Sequence, residues 1–189
     1  MAPLAVINEC VVPALERIGA DYEEQRDFLP QLLLAAEAAQ AAFRELEPKL
    51  LTTGGAGAGG DKPPARTKVV LATVRGDMHD IGKNILALLL RSHGFEVIDL
   101  GRDVAAERVV AAASLEAPAV IGLSALMTTT MPEMARTCEL LAAAGLKIPV
   151  IVGGAVLNAE YAGSIGASYA PDAVSGVRRI AELAARMAA

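Results

Sequence analysis

Short apolar runs alternate with longer amphipathic segments over the last two thirds of the chain. The runs are rich in β-branched residues, and the longer segments carry apolar residues at helical spacing. The runs predict strands at Val69–Val74, Glu96–Leu100, Val120–Ser124, Val150–Gly153 and Ala167–Ala170. The longer segments predict helices at Ile81–Ser92, Ala106–Leu115, Pro132–Ala144, Ala159–Ile165 and Ala173–Met187.

This alternation predicts an α/β fold with a parallel sheet that is covered by helices on both faces. Five strands favour the flavodoxin-like (Rossmann-like) strand order 2-1-3-4-5. Because crossover connections are right-handed, the loops after the first, third, fourth and fifth strands should meet at one carboxyl edge. That edge is where open α/β sheets bind their ligands.

The first 51 residues have a purely helical pattern. Apolar residues recur from Leu4 to Ile18, with a possible break at Pro13, and a second helix is predicted from Pro30 to Leu46. Two helices cannot close a bundle core, so this module packs on the next domain, pairs with another chain, or belongs with further sequence. We therefore expect a partial helical-bundle cap at 1–51, a flexible linker at 52–67 and an α/β domain at 68–189.

The linker contains a G-x-G-x-x-G pattern at Gly55, Gly57 and Gly60. A dinucleotide-binding loop needs a strand before this pattern and a helix after it, and neither is predicted here. The pattern is therefore attributed to glycine-rich composition.

Composition narrows the class of protein. Hydrophobic residues make up 53% of the chain, but no apolar run is long enough to span a membrane. A net charge of −5 without a basic run argues against a nucleic acid partner. Two distant cysteines, Cys10 and Cys138, do not form a disulfide framework, so we expect a cytoplasmic protein.

The turn after the first predicted strand carries the strongest candidate chemistry. His79 lies in that turn, and Asp77 is close enough to hold one ring nitrogen while the other faces a metal. Gly82, at the start of the next helix, leaves room for a bulky group near the backbone. We predict that His79 is a metal ligand.

Polar residues and glycines follow the other strands at the same edge, and each also has a structural interpretation. The hydroxyls from Ser124 to Thr130 either cap a helix or extend a His–Asp–hydroxyl chain. Gly153-Gly154 either forms a tight turn or lets a ligand approach the backbone, and Asp172 can cap the last helix. His93 is best explained as the end of a helix.

A single histidine cannot hold a bare metal ion. The histidines and cysteines show no zinc spacing, so the metal should arrive within a chelating cofactor. A receiver domain would need a phosphorylatable aspartate where Ser124 stands, and a flavodoxin would need a phosphate loop where Asp77 and His79 stand.

The pattern Asp77-x-His79-x-x-Gly82, with Ser124-x-Leu126 and Gly153-Gly154, resembles the cobalamin-binding domain of corrinoid methyl carriers. Cobalamin-dependent methionine synthase and the corrinoid proteins of methanol and methylamine methyl transfer share it. The segment Phe28-Leu29-Pro30-Gln31 is similar to the helical cap of that family, of which only about half is present.

The resemblance implies a role for each matching residue. His79 would be the lower axial ligand of cobalt, with Asp77 and Thr130 as its proton relay, although the family has serine where Thr130 stands. Phe28 would shield the upper, methyl-bearing face. The implied cofactor-binding residues are Phe28, Asp77, Met78, His79, Asp80, Ile81, Gly82, Ser124, Leu126, Thr128, Thr130, Gly153, Gly154, Tyr169 and Asp172.

The resemblance also implies a function, namely a methyl carrier that binds cobalamin and is not catalytic alone. Separate methyltransferase subunits would supply the methyl group and pass it to homocysteine, tetrahydrofolate or a coenzyme-M-like thiol. A reductive activase and self-association through the incomplete cap are further expected partners. The small subunit of an adenosylcobalamin mutase and a cobalamin-dependent sensor are the alternatives.

Overall fold

A computed structural model describes residues 3–11, 13–14, 17–18, 21, 24–53 and 67–188, and the chain divides into two compact units, 1–56 and 57–189. The first unit contains helix α1 (Pro3–Val6), a π-helical turn (Ile7–Val11) and helix α2 (Leu29–Thr53). The strands of the second unit are β1 (Lys68–Thr73), β2 (Glu96–Asp99), β3 (Val120–Ser124), β4 (Val150–Gly153) and β5 (Ser168–Tyr169). Its helices are α3 (Ile81–Ser92), α4 (Ala106–Glu116), α5 (Met131–Ala143), α6 (Ala159–Ser164) and α7 (Ala173–Ala188).

The five strands form one parallel sheet with the order β2-β1-β3-β4-β5, which confirms the predicted fold class. β1 lies in the interior of this sheet between β2 and β3. Its residues Val69 to Thr73 are buried, as expected for a strand covered on both faces. The register pairs Thr73 with Ser124 at the carboxyl ends of β1 and β3.

Two helical layers cover the sheet. Alternate residues of β1, namely Val70 and Ala72, together with Val74 just beyond it, pack in one apolar cluster with residues of α4, α5 and α6. Helices α3 and α7 pack against each other, and both contact β3. The buried layers leave the turns at the strands' carboxyl ends free to carry polar side chains.

Most predicted boundaries agree with the structure to within a residue; β2, for example, ends at Asp99 and not at Leu100. The differences at the end of β1 and in β5 have clear causes. Val74, predicted as the last residue of the first strand, instead forms an isolated parallel bridge with Val104 beyond the end of β1. β5 is shorter than predicted because it lies at the sheet edge and pairs with β4 alone through two residues.

The predicted end of the second helix at Leu46 is wrong, because α2 continues through Pro48 to Thr53. A proline removes one backbone donor, and this loss does not always end a helix when good helix formers follow it. Only Thr52, Thr53 and Thr67 of the predicted linker belong to the described residues. Among the helices that the structure describes, none is both long and apolar enough to cross a membrane.

Candidate functional site

Asp77 and His79 form a compact pair in the turn that follows β1. The Nδ1 atom of His79 lies 2.8 Å from Asp77 Oδ1, and the His79 backbone N–H donates to the same oxygen over 3.0 Å. The carboxylate is 0% exposed, whereas the imidazole is 52% exposed. With Nδ1 held by the carboxylate, Nε2 is the ring nitrogen left for another partner.

The second carboxylate oxygen of Asp77 is bound to the loop after β3. Oδ2 accepts hydrogen bonds from the backbone N–H of Leu126 (2.7 Å) and from that of Met127 (3.3 Å). The hydroxyl of Thr130 also lies 2.9 Å from Oδ2. The structure therefore brings Asp77, His79 and Thr130 into one hydrogen-bonded chain.

These donors keep Asp77 ionised in spite of its burial. Burial raises the pKa of the carboxyl, but the hydrogen bonds to the charged form outweigh it and lower the pKa to about 2. The donors are the backbone and ring of His79, the backbone of Leu126 and the hydroxyl of Thr130. At neutral pH the imidazole therefore always faces a carboxylate.

Thr130 reaches Asp77 because of the local structure after β3. Residues Thr128–Thr130 form a 3₁₀ turn that leads into α5, where Pro132 occupies the first turn. The Thr130 side chain makes no capping bond to α5, but it lies 2.8 Å from the carbonyl oxygen of Met127. A hydroxyl has one proton, so Thr130 can donate either to Asp77 or to Met127 at a given moment.

Thr73 is a site residue that the sequence patterns did not indicate. Its hydroxyl lies 2.8 Å from the hydroxyl of Ser124, and it also contacts the carbonyl oxygen of His79 at 3.5 Å. In the sequence, Thr73 differs from its neighbours only as the single polar residue of the apolar run Val69–Val74.

The glycines at this edge differ in the space around them. Gly154 has φ +146°, and a Cβ added to it would lie 1.8 Å from the carbonyl oxygen of Ala125. This glycine is therefore required by the close packing of two loops. In contrast, a Cβ added to Gly82 would meet nothing within 4 Å, so the start of α3 faces open space.

The remaining candidate residues have varied surroundings. Met78 and Leu126 are exposed apolar side chains, Thr128 is exposed, and Asp80 and Ile81 are partly exposed. Gly153 is partly exposed at the end of β4, and Tyr169 of β5 packs against the apolar cluster. Asp172 caps α7 by accepting the N–H of Ser175 over 2.8 Å, and hydrogen bonds from Ser175 lower the pKa of Asp172. Phe28 belongs to the first unit, and its side chain is largely exposed.

The sequence patterns also missed an ion pair between the buried Lys83 and the exposed Asp99. The ammonium of Lys83, in the first turn of α3, lies 2.6 Å and 2.7 Å from the carboxylate oxygens of Asp99 and 2.8 Å from Asn84 Oδ1. Asp99 Oδ1 also accepts the N–H of Gly101 over 2.9 Å. This pair ties the helix that follows His79 to the end of β2.

The residues around His79 fit a metal that arrives within a chelating cofactor. Over the ranges that the structure describes, no three His, Cys, Asp or Glu side chains gather to hold an ion. One half-exposed imidazole, oriented by a buried carboxylate, can supply a single axial ligand to a metal whose other positions are filled. Exposed Met78 and Leu126 and the open space at Gly82 suit a large, partly apolar group.

Comparison with known proteins identifies the family. A family model described as a B12 binding domain matches residues 67–187, and a second model of that description matches residues 1–47. The dimethylamine corrinoid protein of Methanosarcina barkeri is 38% identical over 191 residues, covering 98% of this chain and 85% of the relative.

Solved structures agree with this result. The monomethylamine corrinoid protein of Methanosarcina barkeri matches with a TM-score of 0.85 and 27% identity, over 97% of this chain and 84% of that chain. A chain of the methanol:cobalamin methyltransferase complex MtaBC of Methanosarcina barkeri matches with a TM-score of 0.63 and 31% identity. The match covers 97% of this chain and 68% of that chain. The family models and the relatives show that this chain, with its buried Asp77 beside His79, belongs to the family of B12-binding corrinoid proteins.

Proposed function

We propose that this protein is a methyl carrier that binds cobalamin and presents Nε2 of His79 to cobalt as the lower axial ligand. The observation that carries this proposal is the 2.8 Å contact between His79 Nδ1 and a fully buried Asp77. A carboxylate that holds one imidazole nitrogen fixes the ring orientation and makes the other nitrogen a stronger ligand.

The cofactor supplies a cobalt centre that can take up and release a methyl group, and the protein supplies orientation and proton control. Nε2 of His79 can bind either a proton or a metal, so protonation of the ring and occupancy of the axial position are linked. Asp77 stays ionised and holds the proton on Nδ1, while Thr130 donates to its other oxygen.

We further propose how the other predicted residues serve the cofactor. His79 would replace the cofactor's own benzimidazole on cobalt and so displace the nucleotide tail that carries this base. The slot for that tail would be lined by Ser124, Leu126, Gly153 and Gly154. The other residues proposed to contact the cofactor are Met78, Asp80, Ile81, Gly82, Thr128, Tyr169 and Asp172. Phe28, which belongs to the helical cap, would shield the upper face, and the linker at Gly55–Gly60 would be the hinge that lets the cap move aside.

The proposed partners are methyltransferases that act before and after the carrier. The relatives are named for dimethylamine and trimethylamine, and the MtaBC complex is named for methanol, which makes small methylated amines and alcohols the favoured donors. A thiol acceptor, a reductive activase and self-association through the cap complete the proposal. Cys10 and Cys138 are free, as a reducing cytoplasm requires.

Methyl transfer with defined partners tests this function. The protein is loaded with cobalamin, reduced, and incubated with isotope-labelled methanol or methylamines and the matching methyltransferase. We expect label to appear on the bound cofactor and then on an added thiol when an acceptor enzyme is present. Strong preference for adenosylcobalamin, with no labelling from any donor, would contradict the carrier function and support a mutase subunit.

A further inference from the structure

The loop after β2 runs along the turn that carries Asp77. The N–H of Thr73 donates to the carbonyl oxygen of Gly101 (3.0 Å), and the N–H of Val104 donates to that of Thr73 (3.0 Å). Val104 also forms the isolated bridge with Val74. Backbone hydrogen bonds on both sides of Asp103 therefore join the loop after β2 to Thr73, the last residue of β1.

Asp103 adds a reciprocal pair of bonds at the base of the site. The N–H of Gly76 donates to Asp103 Oδ1 over 2.7 Å, and the N–H of Asp103 donates to the carbonyl oxygen of Asp77 over 3.1 Å. Both bonds act on the short segment Gly76–Asp77, from which the buried carboxylate projects.

The backbone of Asp103 points to a specific requirement. Its φ of +53° lies in the left-handed region, which is unusual for residues other than glycine and best tolerated by asparagine and aspartate. The side chain is exposed, so it fills no core position. A left-handed residue whose side chain holds the backbone next to a site residue, here Gly76 beside Asp77, suits a positioning role.

We propose that Asp103 is a positioning residue that sets the backbone of Gly76–Asp77 and thereby the orientation of the Asp77–His79 pair. The loop after β3 fixes the Asp77 carboxylate through Oδ2. Asp103 holds the backbone of Gly76–Asp77, through its carboxylate on the Gly76 N–H and through its own N–H on the Asp77 carbonyl oxygen. The effect on cobalt rests on the proposed function, in which His79 is the axial ligand. Asp103 itself touches neither the cofactor nor the metal in this proposal.

A series of variants separates the side-chain bond from the backbone conformation. Asp103→Asn keeps the Oδ1 acceptor and tolerates the left-handed region. Asp103→Gly tolerates that region but has no acceptor, and Asp103→Ala has no acceptor and disfavours the left-handed conformation. Arg102→Ala is the matched control, since it changes the neighbouring exposed residue of the same loop. Each protein is labelled with ¹⁵N-histidine and reconstituted with cobalt(II) cobalamin, so that the two-line share of the axial splitting in its EPR spectrum gives the fraction of cobalt bound by a histidine nitrogen. Thermal unfolding midpoints are measured in parallel.

We expect Asp103→Asn and Arg102→Ala to retain the wild-type histidine-bound fraction. Asp103→Gly and Asp103→Ala should lower the ratio of histidine-bound to histidine-free cobalt about tenfold, the lower end of the cost of losing support for a metal ligand. An unchanged ratio in Asp103→Gly and Asp103→Ala, even with lower unfolding midpoints, would overturn the positioning role. If wild-type protein itself shows no histidine nitrogen on cobalt, the axial-ligand proposal fails instead, so the two failures are distinguishable.

Discussion

At the scale of single residues, the central feature is a carboxylate that is buried yet held ionised. Asp77 is 0% exposed, and five hydrogen-bond contacts from the backbone N–H groups of His79, Leu126 and Met127, the His79 ring and the Thr130 hydroxyl surround its two oxygens. A buried carboxylate destabilises the folded protein when its hydrogen-bond donors are removed, and it fixes the orientation of the groups that donate to it.

The lowered pKa of Asp77 predicts a specific pH dependence of stability. Its pKa is about 2 in the folded protein, below the ordinary value near 3.8 expected in the unfolded chain. The contribution of the carboxylate is therefore fully present above about pH 4 and is lost as the pH falls through about 2, and its size is about 2.5 kcal/mol. Urea unfolding at a series of pH values measures this loss.

Asp77→Asn is the matched variant for that measurement. Its amide places N–H groups or a neutral oxygen against the donors of Leu126 and Met127, so we expect a loss of about 2 kcal/mol at pH 7. The variant should also lose the part of the acid sensitivity that Asp77 supplies. An equally steep decline between pH 4 and pH 2 in the variant would show that other carboxyls cause it.

Substitution of Thr130 tests whether its hydroxyl stabilises the Asp77 carboxylate. Thr130→Val keeps the shape and removes the donor to Asp77, and we expect it to lower the free energy of unfolding by about 1.5–3 kcal/mol. Thr130→Ser keeps the hydroxyl and should cost less than the valine variant. Equal losses in both variants would mean that the methyl group, and not the hydroxyl, matters at this position.

At the scale of elements, the strands and helices around the site follow from local patterns, whereas several cross-links between loops do not. The apolar runs predict β1, β3 and β4 because these strands are largely buried, and the alternation of strands and helices extends the prediction to the partly exposed β2 and β5. The topology predicts that Asp77 and Thr130 lie at the same edge. Asp103 joins the loop after β2 to the turn after β1, and the Lys83–Asp99 pair joins α3 to β2. Both use side chains that look like ordinary surface residues in the sequence. The continuation of α2 past Pro48 was also not predicted, because proline within a helical pattern usually ends the helix.

The Lys83–Asp99 pair should stabilise the junction of α3 with β2. Lys83→Met leaves the Asp99 carboxylate without its cation, and we expect a loss of about 2–4 kcal/mol, since the lysine is 3% exposed and its partner 24%. A double-mutant cycle with Asp99→Asn, followed by urea unfolding, measures the coupling. Additive losses in the double variant would contradict a direct interaction.

Two glycine variants separate packing from ligand access. Gly154→Ala places Cβ against the carbonyl of Ala125 at a positive φ, so we expect a loss of more than about 3 kcal/mol or failure to fold. Gly82→Ala adds Cβ in open space within α3 and should leave stability unchanged or slightly raised. In the proposed function, Gly82→Ala should still weaken cobalamin binding, measured by titration of the absorption spectrum. Unchanged affinity would remove Gly82 from the cofactor site.

At the scale of the whole molecule, the chain consists of two compact units that each match a B12 binding domain model. The second unit holds the Asp77–His79–Thr130 chain within itself, so its geometry follows from one sheet and its loops. The proposed axial ligand, His79, therefore lies in the second unit.

The role of His79 as a cobalt ligand is tested by the EPR spectrum of the protein labelled with ¹⁵N-histidine and reconstituted with cobalt(II) cobalamin. We predict that labelling changes the axial nitrogen splitting from three lines to two, because the coordinating nitrogen then belongs to a histidine of the protein. In His79→Gly, which keeps Asp77 in place, the label should have no effect. A splitting that ignores the label in wild-type protein, or that responds to it equally in His79→Gly, would contradict the assignment of His79 as the lower ligand of cobalt.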